Sequence, residues 1–396
     1  MPGLIRAIYE KQVLELRGKE YGLYTFADWL PIQRALKGSW APVTFRSKGL
    51  AGHLGLNNLW ITFSGYWPEK GVEMKTCSFK ETESYSVCAR MNGTLDKVLV
   101  VASAGNTARA FARVCSDNNI PLLLSVPHDN LNALWFDEPI ADCVKLICSE
   151  TGSDYFDAIH LSNLAVSMDH FIAEGGAKNV ARRDGMGTTV LSAVTTIGDI
   201  PEYYFQAIGS GTGAIAAWEA NLRFIQDGRF GKRKMKLMVS QNDPFIPIHN
   251  AWKADSRAML DLEDALARRQ VEMIDAKVLS NRKPPYPITG GLYDALKDAG
   301  GDVLVATNEE ARKAGELFEE LEGIDIHPAA GVATATLINE VRLRRLDKDA
   351  LIMLNITGGG EERFKSEKRL QYLEPSIVFP IEPREEEVKS ALKSLF

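Results

Sequence analysis

With 396 residues, the chain is too long for one small core, and it predicts two α/β domains. Hydrophobic residues at 45% and charged residues at 25% are ordinary for a soluble globular protein, and a formal net charge of −6 argues against a nucleic-acid footprint. No apolar run nears the roughly 18–20 residues of a membrane-spanning helix. Arg6 and Glu10 come too early for a signal-peptide core, so a cytoplasmic location is expected.

Residues 1–30 read as an irregular, partly extended arm broken at Trp29-Leu30-Pro31. Leu59–Phe63 is a short apolar strand, followed by a loop at Pro68 and Gly71. From Phe79 the pattern FKETESYSVCARM puts Tyr85, Cys88 and Ala89 on one helical face, with Lys80 at the helix N-terminus. An α/β rhythm follows: strand Val98–Ala102, helix Thr107–Ser116, strand Leu122–Val126, strand Cys143–Cys148, then helical material over 154–174. Around Gly185-Met186-Gly187 the chain is expected to turn irregular and return to the larger domain. Strand Tyr203–Ile208 then runs into a glycine loop and helix Ala214–Asp227. Strand Lys236–Ser240, helices Asp255–Arg269 and Ala306–Leu321, a proline-rich loop over 283–287 and strand Leu351–Ile356 complete the chain.

Four features carry chemistry. Lys80 follows Phe79 at a helix start, where a cation opposes the helix dipole. A desolvated lysine there has a lowered pKa and can form a Schiff base, whereas a solvated lysine would do neither. Ser103-Ala104-Gly105-Asn106-Thr107 joins a buried strand to a helix, so it reads as an N-cap, a carboxylate-binding turn, or both. Gly209-Ser210-Gly211-Thr212-Gly213-Ala214 matches G-x-G-x-x-A. No acidic strand end follows at the spacing a dinucleotide site needs, since Asp227 sits in a turn, so a compact phosphate cradle or a structural turn fits better. Asn355-Ile356-Thr357-Gly358-Gly359-Gly360 ends a strand with a hydroxyl that can bond a neutral pyridine nitrogen, or it is a strand running into a flexible loop.

The five cysteines, Cys77, Cys88, Cys115, Cys143 and Cys148, form no C-x-x-C pair. They read as free, largely buried thiols, with no metal site expected.

The segments 63–71 (FSGYWPEKG), 76–83 (TCSFKETE), 103–112 (SAGNTARAFA), 179–188 (NVARRDGMGT) and 205–220 (FQAIGSGTGAIAAWEA) carry a resemblance. Over about residues 1–375 the chain resembles the tryptophan-synthase-β family of pyridoxal-phosphate enzymes, fold type II, and within it the threonine synthase branch. It is most similar to those members that make L-cysteate from O-phospho-L-serine and sulfite for coenzyme M in methanogens. The resemblance implies an α/β fold of two domains, each a mostly parallel twisted sheet flanked by helices. Residues 1–92 and 186–396 would form the large cofactor-binding domain, and 93–185 a small mobile one. It also implies pyridoxal 5'-phosphate as cofactor, small-molecule substrates, a homodimer, and no nucleic-acid or membrane partner.

By motif, Lys80 matches the Schiff-base lysine and Asn106 the asparagine beside the cofactor's 3-hydroxyl. Gly209, Ser210, Gly211, Thr212 and Gly213 match the phosphate loop, and Thr357 the partner of the pyridine nitrogen. Ser103, Ala104 and Thr107 match the substrate-carboxylate loop. Arg109, with Lys75 and Arg90, is a candidate cation for anionic substrates. Threonine synthases carry Lys-Asp-Arg where this chain has Lys80-Glu81-Thr82, which puts threonine formation in doubt. Many relatives begin with a cysteine-rich zinc ribbon, and residues 3–7 look like the strand after it. Threonine synthase or another phospho-amino-acid lyase is the alternative reading, and a nicotinamide-dependent oxidoreductase a distant one.

Overall fold

The computed structural model describes residues 3–91, 97–103, 105–153 and 155–396. Its strands in chain order are β1 (Val43–Arg46), β2 (Leu59–Phe63), β3 (Tyr66–Trp67), β4 (Val72–Glu73), β5 (Val98–Ala102), β6 (Leu122–Pro127), β7 (Trp135–Phe136) and β8 (Val144–Ser149). They continue with β9 (Phe171–Ala173), β10 (Tyr203–Ala207), β11 (Lys236–Asn242), β12 (Asp302–Ala306), β13 (Ile352–Ile356), β14 (Gln371–Tyr372) and β15 (Ile377–Phe379).

The chain divides into two compact units, the first being Met1–Leu30, Trp40–Phe79 and Met186–Phe364. Its sheet runs β1-β2-β13-β10-β11-β12, with every pair parallel except β1 with β2. Helices cover this sheet, so its central strands bury apolar side chains: Ile61, Phe63, Phe205 and Leu354 are fully buried and cluster with Val332 and Leu337 of the helix Pro328–Arg342. The N-terminal arm is not loose. Trp29 is buried, donates its indole N–H to the Lys11 carbonyl at 3.0 Å, and meets Phe224 edge-on at 4.9 Å.

The second unit is Pro31–Ser39, Lys80–Gly185 and Lys365–Phe396. Its sheet, β15-β8-β6-β5-β9, is parallel throughout. Beyond 93–185 this unit takes in the helix Lys80–Arg90, which packs on the helix Asn106–Asp117, and the C-terminal stretch, whose β15 pairs with β8.

Three local expectations are corrected. Gly185-Met186-Gly187 is not irregular but lies inside the helix Val180–Ile197. Gly185 is there for close approach, since a Cβ would sit 2.5 Å from the Thr82 carbonyl oxygen. The helical expectation over 154–174 holds for Tyr155–Val166, but Phe171–Ala173 is strand, paired with Val98–Val100 of β5. The helix expected over 255–269 starts at Asp264. Asp255, with φ of +50°, follows the end of a separate helix, Pro247–Lys253.

Among the described residues no helix is long and apolar enough to cross a membrane, and no group of three or more His, Cys, Asp or Glu side chains is arranged to hold a metal ion.

Candidate functional site

In each sheet the strand order reverses at one strand, and the loop at that strand's carboxyl end is where open α/β sheets bind ligands. In the first unit the reversal lies between β10 and β13, whose carboxyl ends carry Gly209–Gly213 and Thr357. In the second it lies at β5, whose carboxyl end carries Ser103–Thr107.

The glycine loop is built as a cradle. Gly211 has φ of +80°, and a Cβ there would lie 2.6 Å from Leu292 Cδ2. A Cβ on Gly209 would lie 2.9 Å from the Val278 carbonyl oxygen, and one on Gly213 2.5 Å from Gln206 Nε2. The N-cap of the helix Thr212–Asp227 is Gly211, which has no side chain to cap it; the Thr212 N–H donates to Ser210 Oγ at 3.3 Å, and the first-turn N–H groups after it are the ones open to an anion. The Ser210 and Thr212 hydroxyls are bonded to each other at 2.8 Å. Beneath the loop, Asn355 donates to Tyr204 Oη at 2.8 Å and to Gln206 Oε1 at 3.1 Å, tying β13 to β10. Asp227 accepts from the Leu14 N–H and from Arg229, so it is occupied structurally and does not end a strand.

Thr357 is buried at the end of β13, and its carbonyl accepts the Phe79 N–H at 2.9 Å. Ser78 bridges to Gly358, and the Gly359 N–H donates to the Cys77 carbonyl at 3.1 Å. The glycines after Thr357 are not a flexible loop. A Cβ on Gly358 would strike His327 Nδ1, and one on Gly360 would lie 1.9 Å from the Tyr66 carbonyl oxygen. The residue immediately before Lys80 is thereby stitched to the end of β13.

Lys80 opens the helix Lys80–Arg90, in which every residue from Glu81 to Ala89 is buried. Its side chain is 21% exposed, and its Nζ lies 3.0 Å from Glu83 Oε2. Burial pushes the Lys80 ammonium below the ordinary lysine value, Glu83 pulls it back, and Arg182 adds to the lowering. The fully buried Glu83 presents its other oxygen to Arg182 at 2.9 Å, and Arg182 also meets Glu174 at 2.7 Å. Sequence reasoning missed Glu83, Arg182 and Glu174 as a group. The i,i+3 spacing of Lys80 and Glu83 on a helix was the available signal for the first.

In the second unit, Ser103 Oγ accepts the Gly105 N–H at 3.2 Å, and the Ser103 N–H donates to the Ser125 carbonyl at 3.1 Å. Asn106 is the first residue of its helix, and no side chain caps that helix. Thr107 is half-buried in the same first turn, and Ala104 lies outside the described residues.

Arg109 is turned inward and 2% exposed. It donates to the Ala133 carbonyl at 2.9 Å and to Asn106 Oδ1 at 3.1 Å, and its guanidinium lies 3.9 Å from the Trp135 ring centroid. These contacts make it a clamp on Asn106. Arg109→Ala is expected to cost about 2–4 kcal/mol, from two charge-assisted bonds and one stacked contact, seen as a fall in the denaturation midpoint. A variant with unchanged unfolding and a raised KM for an anionic substrate would instead make Arg109 an anion ligand.

The cysteines are free; Cys77, Cys88, Cys115 and Cys148 are buried and Cys143 is half-buried. Burial pushes the Cys148 thiol up to about 12, which removes it as a nucleophile at neutral pH.

Residues 44–358 match the family model described as pyridoxal-phosphate-dependent enzyme. A cysteate synthase of Methanosarcina acetivorans is 47% identical over 94% of this chain and 90% of its own length. One of Methanocella paludicola is 48% identical over 95% of this chain and 88% of its own. Among solved structures, maize serine racemase matches with a TM-score of 0.62 at 13% identity, covering 80% of this chain and 88% of that one. A pyridoxal-5'-phosphate-dependent aspartate racemase matches with a TM-score of 0.59 at 15% identity, covering 82% and 92%. These structures share the fold, which is fold type II. The chain belongs to the pyridoxal-phosphate-dependent enzymes and, within them, to the cysteate synthase family.

Proposed function

We propose that this enzyme forms L-cysteate by β-replacement, from O-phospho-L-serine and sulfite, releasing phosphate. The observation that carries the chemistry is Lys80, largely desolvated, its ammonium pushed by burial below the ordinary lysine value. Kinship with cysteate synthases over most of the chain supports the substrate pair, and Glu81-Thr82 after Lys80, where threonine synthases have Asp-Arg, weighs against threonine formation.

The residues present fit pyridoxal phosphate. At Gly209, Gly211 and Gly213 the loop packs so closely on Val278, Leu292 and Gln206 that none has room for a Cβ, and it leads into a helix whose N-cap is a glycine. A phosphate monoester suits such backbone donors. Lys80 supplies the amine for the aldehyde, Asn106 an amide held by Arg109, and Thr357 a hydroxyl at a strand end. Held there, pyridoxal phosphate would supply an electron-withdrawing ring for the bonds at the substrate's α-carbon.

The chain's own residues then divide the work. Lys80 Nζ takes the proton from the substrate α-carbon and returns it after replacement. Phosphate leaves with the bonding pair of the C–O bond, and sulfite brings the pair that makes the C–S bond. Ser103 and Thr107, beside the uncapped helix start, receive the substrate carboxylate. Thr357 offers a hydroxyl rather than a carboxylate to the ring nitrogen, which keeps that nitrogen unprotonated and favours elimination over carbanion build-up. A cytoplasmic homodimer belongs to the same reading.

Product analysis tests it. Purified enzyme given O-phospho-L-serine and sulfite is expected to yield cysteate and phosphate in equal amounts. Threonine from O-phosphohomoserine, with no cysteate from the first pair, would replace this reading with threonine synthase.

A further inference from the structure

Glu83 sits wholly inside the protein, and a buried carboxylate is costly unless it is paired. It has two cations, one for each oxygen: Lys80 on Oε2 at 3.0 Å and Arg182 on Oε1 at 2.9 Å. Arg182 is shared in turn with Glu174, which is 7% exposed, at 2.7 Å. Tyr155 also faces this cluster: burial pushes its hydroxyl up, and Arg182, Glu174 and Glu83 act on it electrostatically. Two positive and two negative side chains therefore stand in a row, Lys80–Glu83–Arg182–Glu174. Lys80 is the member at the helix N-terminus, where a cation is disfavoured, and Glu83 stands in the first turn, where an anion is favoured.

We propose that Glu83 is a positioning residue for Lys80: its carboxylate holds the ammonium that Lys80 becomes each time it takes a proton, and Arg182 with Glu174 keeps that carboxylate in place. The inference rests on the reading of Lys80 as the cofactor-binding lysine and base. It explains the second cation. While Lys80 nitrogen is committed to the cofactor, Glu83 keeps Arg182 and is not stranded. When the nitrogen is released and takes the α-proton, the carboxylate is already aimed at it. In this arrangement the proton moves only between the substrate carbon and Lys80. Without Glu83, the amine would still be a base, but a weaker one, with no carboxylate of its own and an Arg182 left to Glu174 alone.

The test reads the titration of Lys80 directly. The full-length chain, freed of cofactor, is labelled with an amine reagent across a pH series, and the Lys80 peptide is followed by mass spectrometry. In Glu83→Gln the Lys80 midpoint is expected to fall by about 1–3 pH units. The acid limb of the holoenzyme's kcat profile should move the same way. Glu83→Asp keeps the charge but draws it back by one methylene, and should fall between Glu83→Gln and wild type. If both variants keep the wild-type midpoint and profile and only lose thermal stability, Glu83 is a structural ion pair and the inference is overturned. Should Glu83→Gln not fold, Glu83→Asp decides: a lowered midpoint supports the inference, and an unchanged one overturns it. Borohydride reduction and peptide mapping of wild-type holoenzyme separates the two claims. A mark on a lysine other than Lys80 removes the reading on which the inference rests, while the midpoints still report on the pair itself.

Discussion

Lys80→Ala is expected to abolish turnover, with a loss of at least about a thousandfold, while the folded structure persists. One amine is asked both to anchor the cofactor and to move the α-proton, and general base catalysis alone contributes about 10²–10⁴-fold. The fold should survive because Glu83 keeps Arg182 when Lys80 is gone. Circular dichroism and a thermal scan would check the fold, and phosphate release would check turnover. A variant that still turns over, with cofactor fixed by borohydride to another lysine, would end the assignment.

Gly360→Ala should give the largest loss of stability of the substitutions considered. Gly360 has φ of +71°, and an added Cβ would lie 1.9 Å from the Tyr66 carbonyl oxygen and 2.8 Å from its carbon. Backbone cannot step aside as a side-chain tip can. The left-handed conformation costs about 1–2 kcal/mol for a residue with a Cβ, and overpacking about 1–3 kcal/mol more. Gly71→Ala is the control, because Gly71 has φ of +77° with nothing within 4 Å of the added atom. Denaturant midpoints at unchanged slope would compare them. Equal losses at the two sites would mean that contact with Tyr66 contributes nothing.

Much of the fold was legible because local pattern and tertiary role agree. Val98–Ala102 and Leu59–Phe63 are apolar on both faces, and they form strands over those very residues. The helices after Gly105 and Gly211 begin within two residues of the positions their turn chemistry suggested. What stayed hidden depends on partners distant in sequence. The three-residue strand Phe171–Ala173 has no period of its own and exists because β5 is beside it. The helix Pro328–Arg342 is buried nearly all round, so it shows no amphipathic stripe. Gly185 and Gly187 look like breakers, yet helix contacts require the first to lack a side chain.

At the site, the sequence shows the order Lys80, Asn106, Gly209–Gly213, Thr357, and each lies at a strand end or helix start. The direction of a long side chain was not legible. Arg109 falls in the first turn of a helix whose loop was read as anion-binding, and only the positions of Ala133 and Trp135 turn it inward. Lys80 was legible as a desolvated amine, but its carboxylate partner and the arginine behind it come from two separate segments, Lys80–Arg90 and Val180–Ile197.

No Lys, Arg or His occurs between Gly209 and Leu222. In the reading of Gly209–Gly213 as the phosphate cradle, the donors within it are peptide N–H groups and the Ser210 and Thr212 hydroxyls, none of which ionises near neutrality. On acidification these donors do not change charge, and the group that titrates at this segment is the phosphate monoester itself, which takes up its first proton at pH ~6. A weaker hold on the cofactor in acid would therefore trace to the ligand losing charge, while the chain's own side of the contact stays as it was.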